Sequence, residues 1–195
     1  MPRITAESLL TLEAYARARK EFRAQVIAHK KHRTATLGEH VTLIFEDELT
    51  IRYQIQEMLR VERIFEEAGI RDELAAYNPL VPDGSNWKAT MLIEYPDVGE
   101  RHAMLALLKG IEDRVWVQVA GLDPVYAIAD EDMERENAEK TSAVHFLRFD
   151  LAPPMVRALD AGSALAIGVD HPAYAATIVG VPAALRTSLM QDLRG

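Results

Sequence analysis

The feature that most constrains the fold is a nine-residue run in which every second residue is apolar or aromatic. In WKATMLIEY, residues 87–95, these positions are Trp87, Ala89, Met91, Ile93 and Tyr95. Because successive side chains of a β-strand point to opposite faces of the sheet, this period predicts a strand with one buried face. The run HVTLIFE, residues 40–46, has the same period and predicts a second strand.

Four later segments are also typical of strands. RVWVQVAGLDPVYAIA, residues 114–129, predicts two strands joined by a turn at Gly121 to Pro124, most simply as a hairpin. SAVHFLRFDL (142–151), SALAIGV (163–169) and ATIVGV (176–181) each predict one more. Hairpins, and the lack of regular strand–helix alternation, favour an antiparallel or mixed sheet over a doubly wound parallel one.

Helical patterns lie between these strands. The N-terminus predicts a helical pair, with one helix through Leu9, Leu10 and Leu12 and a second over residues 18–33. A long amphipathic helix is predicted from Thr50, with Gly69 as its stop signal. We therefore expect an α+β fold. It comprises an antiparallel or mixed sheet of about six strands, helices packed mainly on one side, and the N-terminal helical pair in front.

The length of 195 residues is sufficient for one full hydrophobic core. We expect a single domain, 1–195, in which a helical N-terminal segment, 1–37, packs on an α+β body, 38–195.

The composition excludes several kinds of chemistry. The chain has no cysteine, which rules out disulfides, thiol nucleophiles, Cys-type zinc sites and thiolate-held iron–sulfur clusters within it. No apolar run approaches the roughly 20 residues that cross a bilayer, and the first ten residues lack the pattern of a secretory signal. We expect a cytoplasmic protein without membrane contact.

Charge is distributed unevenly along the chain. The net charge of −8 disfavours non-specific binding of nucleic acid. Residues 1–35, however, carry eight Lys or Arg against three Glu. The basic N-terminal helix could bind a nucleic acid or nucleotide, and it could equally pack against the acidic remainder of this chain or of a second subunit.

A carboxylate interrupts the apolar stripe of the long predicted helix. At about 100° per residue, Glu62 falls near the middle of the stripe formed by Ile51, Ile55, Met58, Leu59 and Phe65. An isolated buried carboxylate costs several kcal/mol unless it is paired, hydrogen-bonded or protonated. Three interpretations stay open: an ion pair, for example with Arg148; a carboxylate placed for proton transfer or metal binding; or a helix less buried than its pattern.

Two histidines offer the complementary half of such a site. His145 shares a predicted strand face with Leu147 and Phe149, and His171 lies at a strand end in GVDHPAY, residues 168–174. Each fits a hydrogen-bonded structural histidine, and the alternative is that either one joins Glu62 in an acid–base or metal site. No familiar metal-ligand spacing is present, so we assign no metal ligand.

Three blocks resemble a family of uncharacterised bacterial proteins, domain of unknown function 3501. They are FEDELTIRYQIQEMLRVERIFEEAGIRDELAAYNPLVPDG (45–84), KTSAVHFLRFDL (140–151) and GVDHPAY (168–174), and the resemblance extends over nearly the whole chain. It implies no activity or cofactor. It does imply a setting, because such proteins are often encoded beside rubrerythrin-like proteins and iron–sulfur oxidoreductases. It also draws attention to candidate ligand or interface residues, which are Arg52, Gln54, Glu57, Arg60 and Tyr174.

The leading functional hypothesis is an accessory or interaction protein, expected to be a homodimer, that supports a redox or oxidative-stress system through contact with a redox protein. Any iron–sulfur cluster would have to belong to the partner. The first alternative is an enzyme or metal-binding protein that uses Glu62 with His145 or His171. The second is binding of nucleic acid or a nucleotide through the basic helix. Substrate, ligand and cofactor are not defined by the sequence.

Overall fold

The computed structural model describes residues 3–129 and 140–194, and within these ranges the chain forms six α-helices and eight β-strands. The helices are α1, Leu12–Lys30; α2, Glu48–Val61; α3, Glu67–Tyr77; α4, Val98–Leu107; α5, Pro153–Asp160; and α6, Ala183–Asp192. The strands are β1, Thr34–Leu37; β2, Val41–Glu46; β3, Asn86–Ile93; β4, Val115–Val119; β5, Val125–Tyr126; β6, Val144–Asp150; β7, Leu165–His171; and β8, Tyr174–Ile178. No described helix is long and apolar enough to cross a membrane.

The strands form two four-stranded antiparallel sheets, in the orders β1-β2-β3-β6 and β5-β4-β7-β8. The α+β class and the antiparallel pairing are confirmed, whereas the expectation of one sheet of about six strands is wrong. The predicted hairpin at residues 114–129 explains the division. Its second strand pairs with β4 through Tyr126, and two residues later Ile128 exchanges two 2.8 Å hydrogen bonds with Arg148 on the edge of the first sheet.

The inner faces of the two sheets share one hydrophobic core. Its fully buried members include Phe45 and Trp87 from the first sheet and Val117 and Ile167 from the second. The apolar positions that predicted β3 form its inner face, because Trp87, Ala89, Met91 and Ile93 all belong to this core. Helix α6 packs on the same core, and Trp87 donates a 2.9 Å hydrogen bond to the Leu189 carbonyl.

A smaller core lies among α2, α3 and the N-terminal residues. Ile51, Ile55 and Leu59 of α2 pack there with Leu74 of α3, and Phe146 of β6 contacts the cluster. Helices α2 and α3 therefore cover the outer side of part of the first sheet.

The N-terminal segment differs from the expected helical pair. A 3₁₀ turn at Ala6–Ser8 precedes one long helix, and Leu9 between them has the extended backbone conformation. The hydroxyl of Thr11 accepts the Ala14 N–H at 3.2 Å and starts α1 as an N-cap. The segment 1–37 also ends in a strand, because Thr34–Leu37 pairs with β2.

A buried arginine joins α1, the first sheet and α6. Arg33 is only 1% exposed. Its guanidinium donates to the carbonyls of Phe45 at 2.8 Å and Glu46 at 3.0 Å, at the end of β2. It also donates to the Ser188 hydroxyl at 3.0 Å and to the Asp192 carboxylate at 2.5 Å, both on α6.

The same network includes the start of α2. Asp47 caps this helix by accepting the Thr50 N–H at 3.0 Å, and its other carboxylate oxygen lies 3.5 Å from Arg33 Nε. His29, at the end of α1, contacts that oxygen at 2.5 Å. One guanidinium therefore holds the ends of three helices against β2.

The network predicts an unusual pH dependence of stability. Burial raises the pKa of Asp192 from 3.8 to about 6, against the opposing effect of Arg33. Between these values the folded protein retains a proton that the unfolded chain releases, so this contribution is present at low pH and is lost as pH rises through about 6. We predict that the free energy of unfolding of wild type, relative to Asp192→Asn, increases as pH falls from 7 to 4, by about 3 kcal/mol at most.

The measurement is urea denaturation of both proteins at a series of pH values, in which the slope with respect to urea must stay constant between variants. A difference that is independent of pH, or that increases with pH, contradicts the prediction.

Candidate functional site

Glu62 is not in a buried stripe. Helix α2 ends at Val61, and Glu62 is the exposed C-cap residue after it. In the part of the chain that the structure describes, Glu62 has no ion pair. The pairing with Arg148 considered as one interpretation is therefore absent, and Arg148 contacts Asp150 at 3.1 Å. The interpretation that fits is the third one, in which the helix is less buried at Glu62 than its sequence pattern indicates.

The end of α2 explains why the sequence pattern misled. The Ile64 N–H donates to the Leu59 carbonyl at 2.9 Å, the 6→1 hydrogen bond of a Schellman motif. Arg63 takes the left-handed position with φ 55°, where glycine is usual. The chain therefore leaves the helix seven residues before the predicted end at Gly69, which lies inside α3.

The two histidines lie in different sheets and have different partners. His171, on β7, uses both ring nitrogens: Nε2 donates to the Lys109 carbonyl at 3.0 Å, and Nδ1 accepts the Ala173 N–H at 3.2 Å. His145, on β6, contacts the Ser142 carbonyl and the Thr141 hydroxyl through Nε2, each at 3.0 Å. These contacts are those of structural histidines.

Residues 3–129 and 140–194 contain no group of three or more His, Asp or Glu side chains arranged to hold a metal ion.

Glu57 and Arg60 belong to one ion cluster between α1 and α2. The Glu57 carboxylate accepts from Tyr15 at 2.7 Å, from Arg19 at 2.7 and 2.9 Å, and from Arg60 at 3.3 Å. The hydrogen bonds from Arg19 are the main reason that its pKa falls to about 2, with Tyr15 and Arg60 acting in the same direction. Burial and the bond to Glu57 raise the pKa of Tyr15. The cluster joins two helices and keeps its carboxylate ionised.

The other candidates have separate positions. Arg52 pairs with Glu48 and donates to the carbonyl of Ser8, which holds the N-terminal 3₁₀ turn on α2. Gln54 is exposed. Tyr174, at the start of β8, donates to the Leu37 carbonyl at 2.5 Å and accepts the His40 N–H at 3.0 Å.

Tyr174 supports the turn between β1 and β2. Gly38 in that turn has φ 65°, and a Cβ atom there would lie 2.5 Å from the Tyr174 hydroxyl. A glycine is needed at this position for both reasons. The turn places Glu39 and His40 beside the end of β3, where a cleft of about 790 Å³ opens.

We call this opening the His40 cleft. The residues that line it are Glu39, His40, Leu92, Ile93, Glu94, Tyr95, Pro96, Arg101, Ala143 and Val144. Leu92 and Val144 are cross-strand partners and half-buried, so they present an apolar surface between charged side chains.

His40 is held in a defined orientation. Its ring stacks on Tyr95 with centroids 3.9 Å apart and planes 17° apart, and its Nδ1 lies 2.9 Å from the Glu94 carbonyl oxygen. A carbonyl can only accept, so Nδ1 carries the proton and Nε2 is the acceptor of the neutral ring.

Charges of both signs surround this ring. Arg101 is half-buried and donates one hydrogen bond, to the Tyr95 carbonyl at 3.3 Å. It forms no ion pair with any described residue. The Glu94 carboxylate accepts from Thr42 at 2.9 Å, and Glu39 is exposed. The cleft therefore offers a guanidinium, two carboxylates and an imidazole acceptor at the margin of an apolar surface.

Sequence reasoning missed these residues. Gly38 and Pro96 mark the ends of two predicted strands, and the observed pairing of Val41 with Ile93 brings residues 39–40 and 94–96 together. The missing information was the pairing register, since neither short segment contains a motif.

The comparisons with known proteins agree with one another. A family model described as "Protein of unknown function (DUF3501)" matches residues 3–193. A crystal structure described as that of a novel protein of unknown function from Burkholderia pseudomallei K96243 is similar to this structure, with a TM-score of 0.93, and the two chains have 57% sequence identity. That match covers 98% of this chain and 100% of the other. No curated protein matches the chain.

The αL position at the end of α2 gives a stability prediction. A non-glycine residue in this conformation destabilises the folded state by about 1 kcal/mol or more. Glycine removes this cost, but part of the gain is offset because glycine also increases the conformational entropy of the unfolded chain. We predict that Arg63→Gly increases the free energy of unfolding by about 0.5 kcal/mol. The control is Gln54→Gly, at an exposed position inside α2, which should decrease the free energy of unfolding. Chemical denaturation measures both, and a destabilised Arg63→Gly protein would show that the Arg63 side chain has a stabilising contact of its own.

The positions of His171 and Glu62, two of the candidate catalytic residues, give a second stability prediction. His171→Ala leaves the Lys109 carbonyl and the Ala173 N–H without their partner, and we expect a loss of about 1–3 kcal/mol. Glu62→Gln changes an exposed side chain and should stay within about 0.5 kcal/mol of wild type. Both values come from urea denaturation. Equal effects from the two substitutions would be inconsistent with the contacts described.

Proposed function

The chain belongs to the DUF3501 family of proteins of unknown function, and we propose that it is an accessory, substrate-handling protein that binds a small amino carboxylate in the His40 cleft. The observation that carries this proposal is the combination of an unpaired, half-buried Arg101 with a fixed His40 acceptor at the edge of one apolar surface. Among the described residues, Arg101 has no ion-pair partner.

The chemistry of the lining selects the ligand class. The planar guanidinium of Arg101 is suited to a carboxylate, which it can bind through two parallel hydrogen bonds. The carboxylates of Glu39 and Glu94, with the acceptor nitrogen of His40, suit an ammonium group. Leu92 and Val144 suit an apolar side chain between these two groups. A free amino acid with an apolar side chain carries all three features.

The size of the cleft is consistent with this class, because pockets for small organic ligands are typically about 300–1,000 Å³, and this one is about 790 Å³. We propose that the cleft binds this ligand, because each charged or polar group described above has a complementary group on an amino acid. In this proposal, the protein holds the amino carboxylate for another protein.

The family resemblance supplies the proposed partner. We propose that a rubrerythrin-like protein or an iron–sulfur oxidoreductase receives or responds to the bound ligand. Since the chain has no cysteine, any cluster bound through thiolates belongs to the partner. We also propose the cytoplasm as the location and a homodimer as the acting form.

The Glu/His alternative stays a prediction with its own test. Metal analysis of untagged protein, followed by Glu62→Gln, His145→Ala and His171→Ala, distinguishes an enzymatic or metal site from the structural roles described above. Bound metal that depends on His145 or His171 would favour that alternative.

The cleft proposal is tested by calorimetric titration with a panel of L-amino acids, the matching amines without a carboxylate, and the matching carboxylic acids without an amine. We expect binding of at least one apolar amino acid and weaker binding of both truncated analogues. Arg101→Gln should weaken binding at least about tenfold, because a charge-assisted hydrogen bond is worth about 1.5–3 kcal/mol.

Arg157→Gln is the matched control, since Arg157 is exposed on α5 and lies outside the cleft lining. It should leave binding unchanged. Absence of binding to wild type across the panel, or equal losses in Arg101→Gln and Arg157→Gln, would contradict the proposal.

A further inference from the structure

One side of α1 carries exposed positive charge around an exposed isoleucine. Lys20, Arg23, Ile27 and Lys31 follow helical spacing and all are exposed, with Ile27 49% accessible. We call these four residues the basic stripe. None of its three cations forms an ion pair with a described residue. Its neighbours Arg17 and Arg19, by contrast, are neutralised by Glu13 and Glu57.

A second surface has the opposite character. Val61 and Phe65, at the end of α2, are 58% and 72% exposed. Glu62 and Glu66 beside them are exposed and form no ion pair within the described ranges. We call these four residues the acidic knob. Residues 61–73 as a whole carry five carboxylates against two arginines.

The acidic knob is held in place by the turn that ends α2. The Ile64 N–H is bonded to the Leu59 carbonyl, and both side chains pack in the smaller core. Phe65 follows directly and points away from that core. A large aromatic side chain presented to solvent on an anchored turn is a feature of protein–protein contacts, in which aromatic residues contribute much of the binding energy.

We propose that the basic stripe of one copy of this chain binds the acidic knob of a second copy. Ile27 then packs against Val61 and Phe65, while Lys20 and Arg23 face Glu62 and Glu66. Both the apolar part and the sign of the charge are complementary. A nucleic acid would satisfy the cations but would leave the knob and Ile27 exposed.

The arrangement of α1 and α2 allows the contact to occur twice. Tyr15 bonds to Glu57 near the end of α2, and His29 contacts Asp47 at its start, so the helices run antiparallel. The knob is therefore near the N-terminal half of α1. Ile27 lies twelve residues after Tyr15 on α1, which is about 18 Å along the helix axis at 1.5 Å per residue. A two-fold axis between these points brings each knob to the partner's stripe, as a closed dimer requires.

The test is a charge exchange followed by sedimentation equilibrium. Glu62→Lys/Glu66→Lys makes both surfaces basic, and Lys20→Glu/Arg23→Glu makes both acidic. We expect wild type to be a dimer and each variant alone to dissociate at least about tenfold more readily. An equimolar mixture of the two variants should form a heterodimer, because both contacts then regain opposite charges. Phe65→Ser should also weaken the dimer, with unchanged circular dichroism.

Matched controls reverse the same number of charges elsewhere on the surface. Asp123→Lys/Asp160→Lys and Arg157→Glu/Arg194→Glu change exposed residues outside both surfaces, and they should leave dimerisation unchanged. Wild type that stays monomeric at the highest soluble concentration overturns the proposal, as does a mixture that fails to recover the dimer.

Monomeric wild type that binds a single-stranded RNA oligonucleotide in a salt-dependent way, through Lys20 and Arg23, also overturns it and assigns the stripe to nucleic acid. The inference does not rest on ligand binding in the His40 cleft. Failure of either proposal is therefore visible separately, by sedimentation for one and by calorimetry for the other.

Discussion

The buried guanidinium of Arg33 is the interaction on which the arrangement of helices around the first sheet depends. It satisfies the carbonyls that end β2 and binds the carboxylate of Asp192 on α6, while Asp47 lies within 3.5 Å. Burying an ion pair is costly, and leaving one partner unpaired is costlier still. The geometry of α1, α2 and α6 is thus fixed together, because no member can move without exposing an uncompensated charge.

Strands β2 and β3 connect the Arg33 network to the His40 cleft. Strand β2 runs from Val41, beside the His40 cleft, to Glu46, at the Arg33 network, and β3 pairs with it along its whole length. The network end is packed under helices. The cleft end carries the turn held by Tyr174 and leaves Leu92 and Val144 only half covered. The fold therefore concentrates the buried ion-pair network at one end of this strand pair and leaves the other end open.

Local periodicity predicted the strands well because burial follows the same period. The alternation in residues 87–95 recurs as the inner face of β3, and Asp47 and Gly38 act as the cap and turn that their chemistry favours. Periodicity failed where one residue took an unusual conformation. Arg63 ends α2 in a conformation usually occupied by glycine. The apolar sequence pattern continues beyond this point, and it therefore predicted a position for Glu62 on the buried face of the helix. The division into two sheets and the meeting of His40 with Tyr95 depend on long-range pairing, which local patterns do not encode.

The interleaved order of the strands has a consequence for biosynthesis. The first sheet needs β6 and the second needs β7 and β8, so neither sheet can be completed from the first 129 residues. Arg33 and Asp192 are separated by 159 positions along the chain. Such long-range closure slows folding. A chain still being synthesised therefore lacks the Asp192 partner of Arg33 until α6 has been made, and the native packing of α6 on the first sheet can form only after that point.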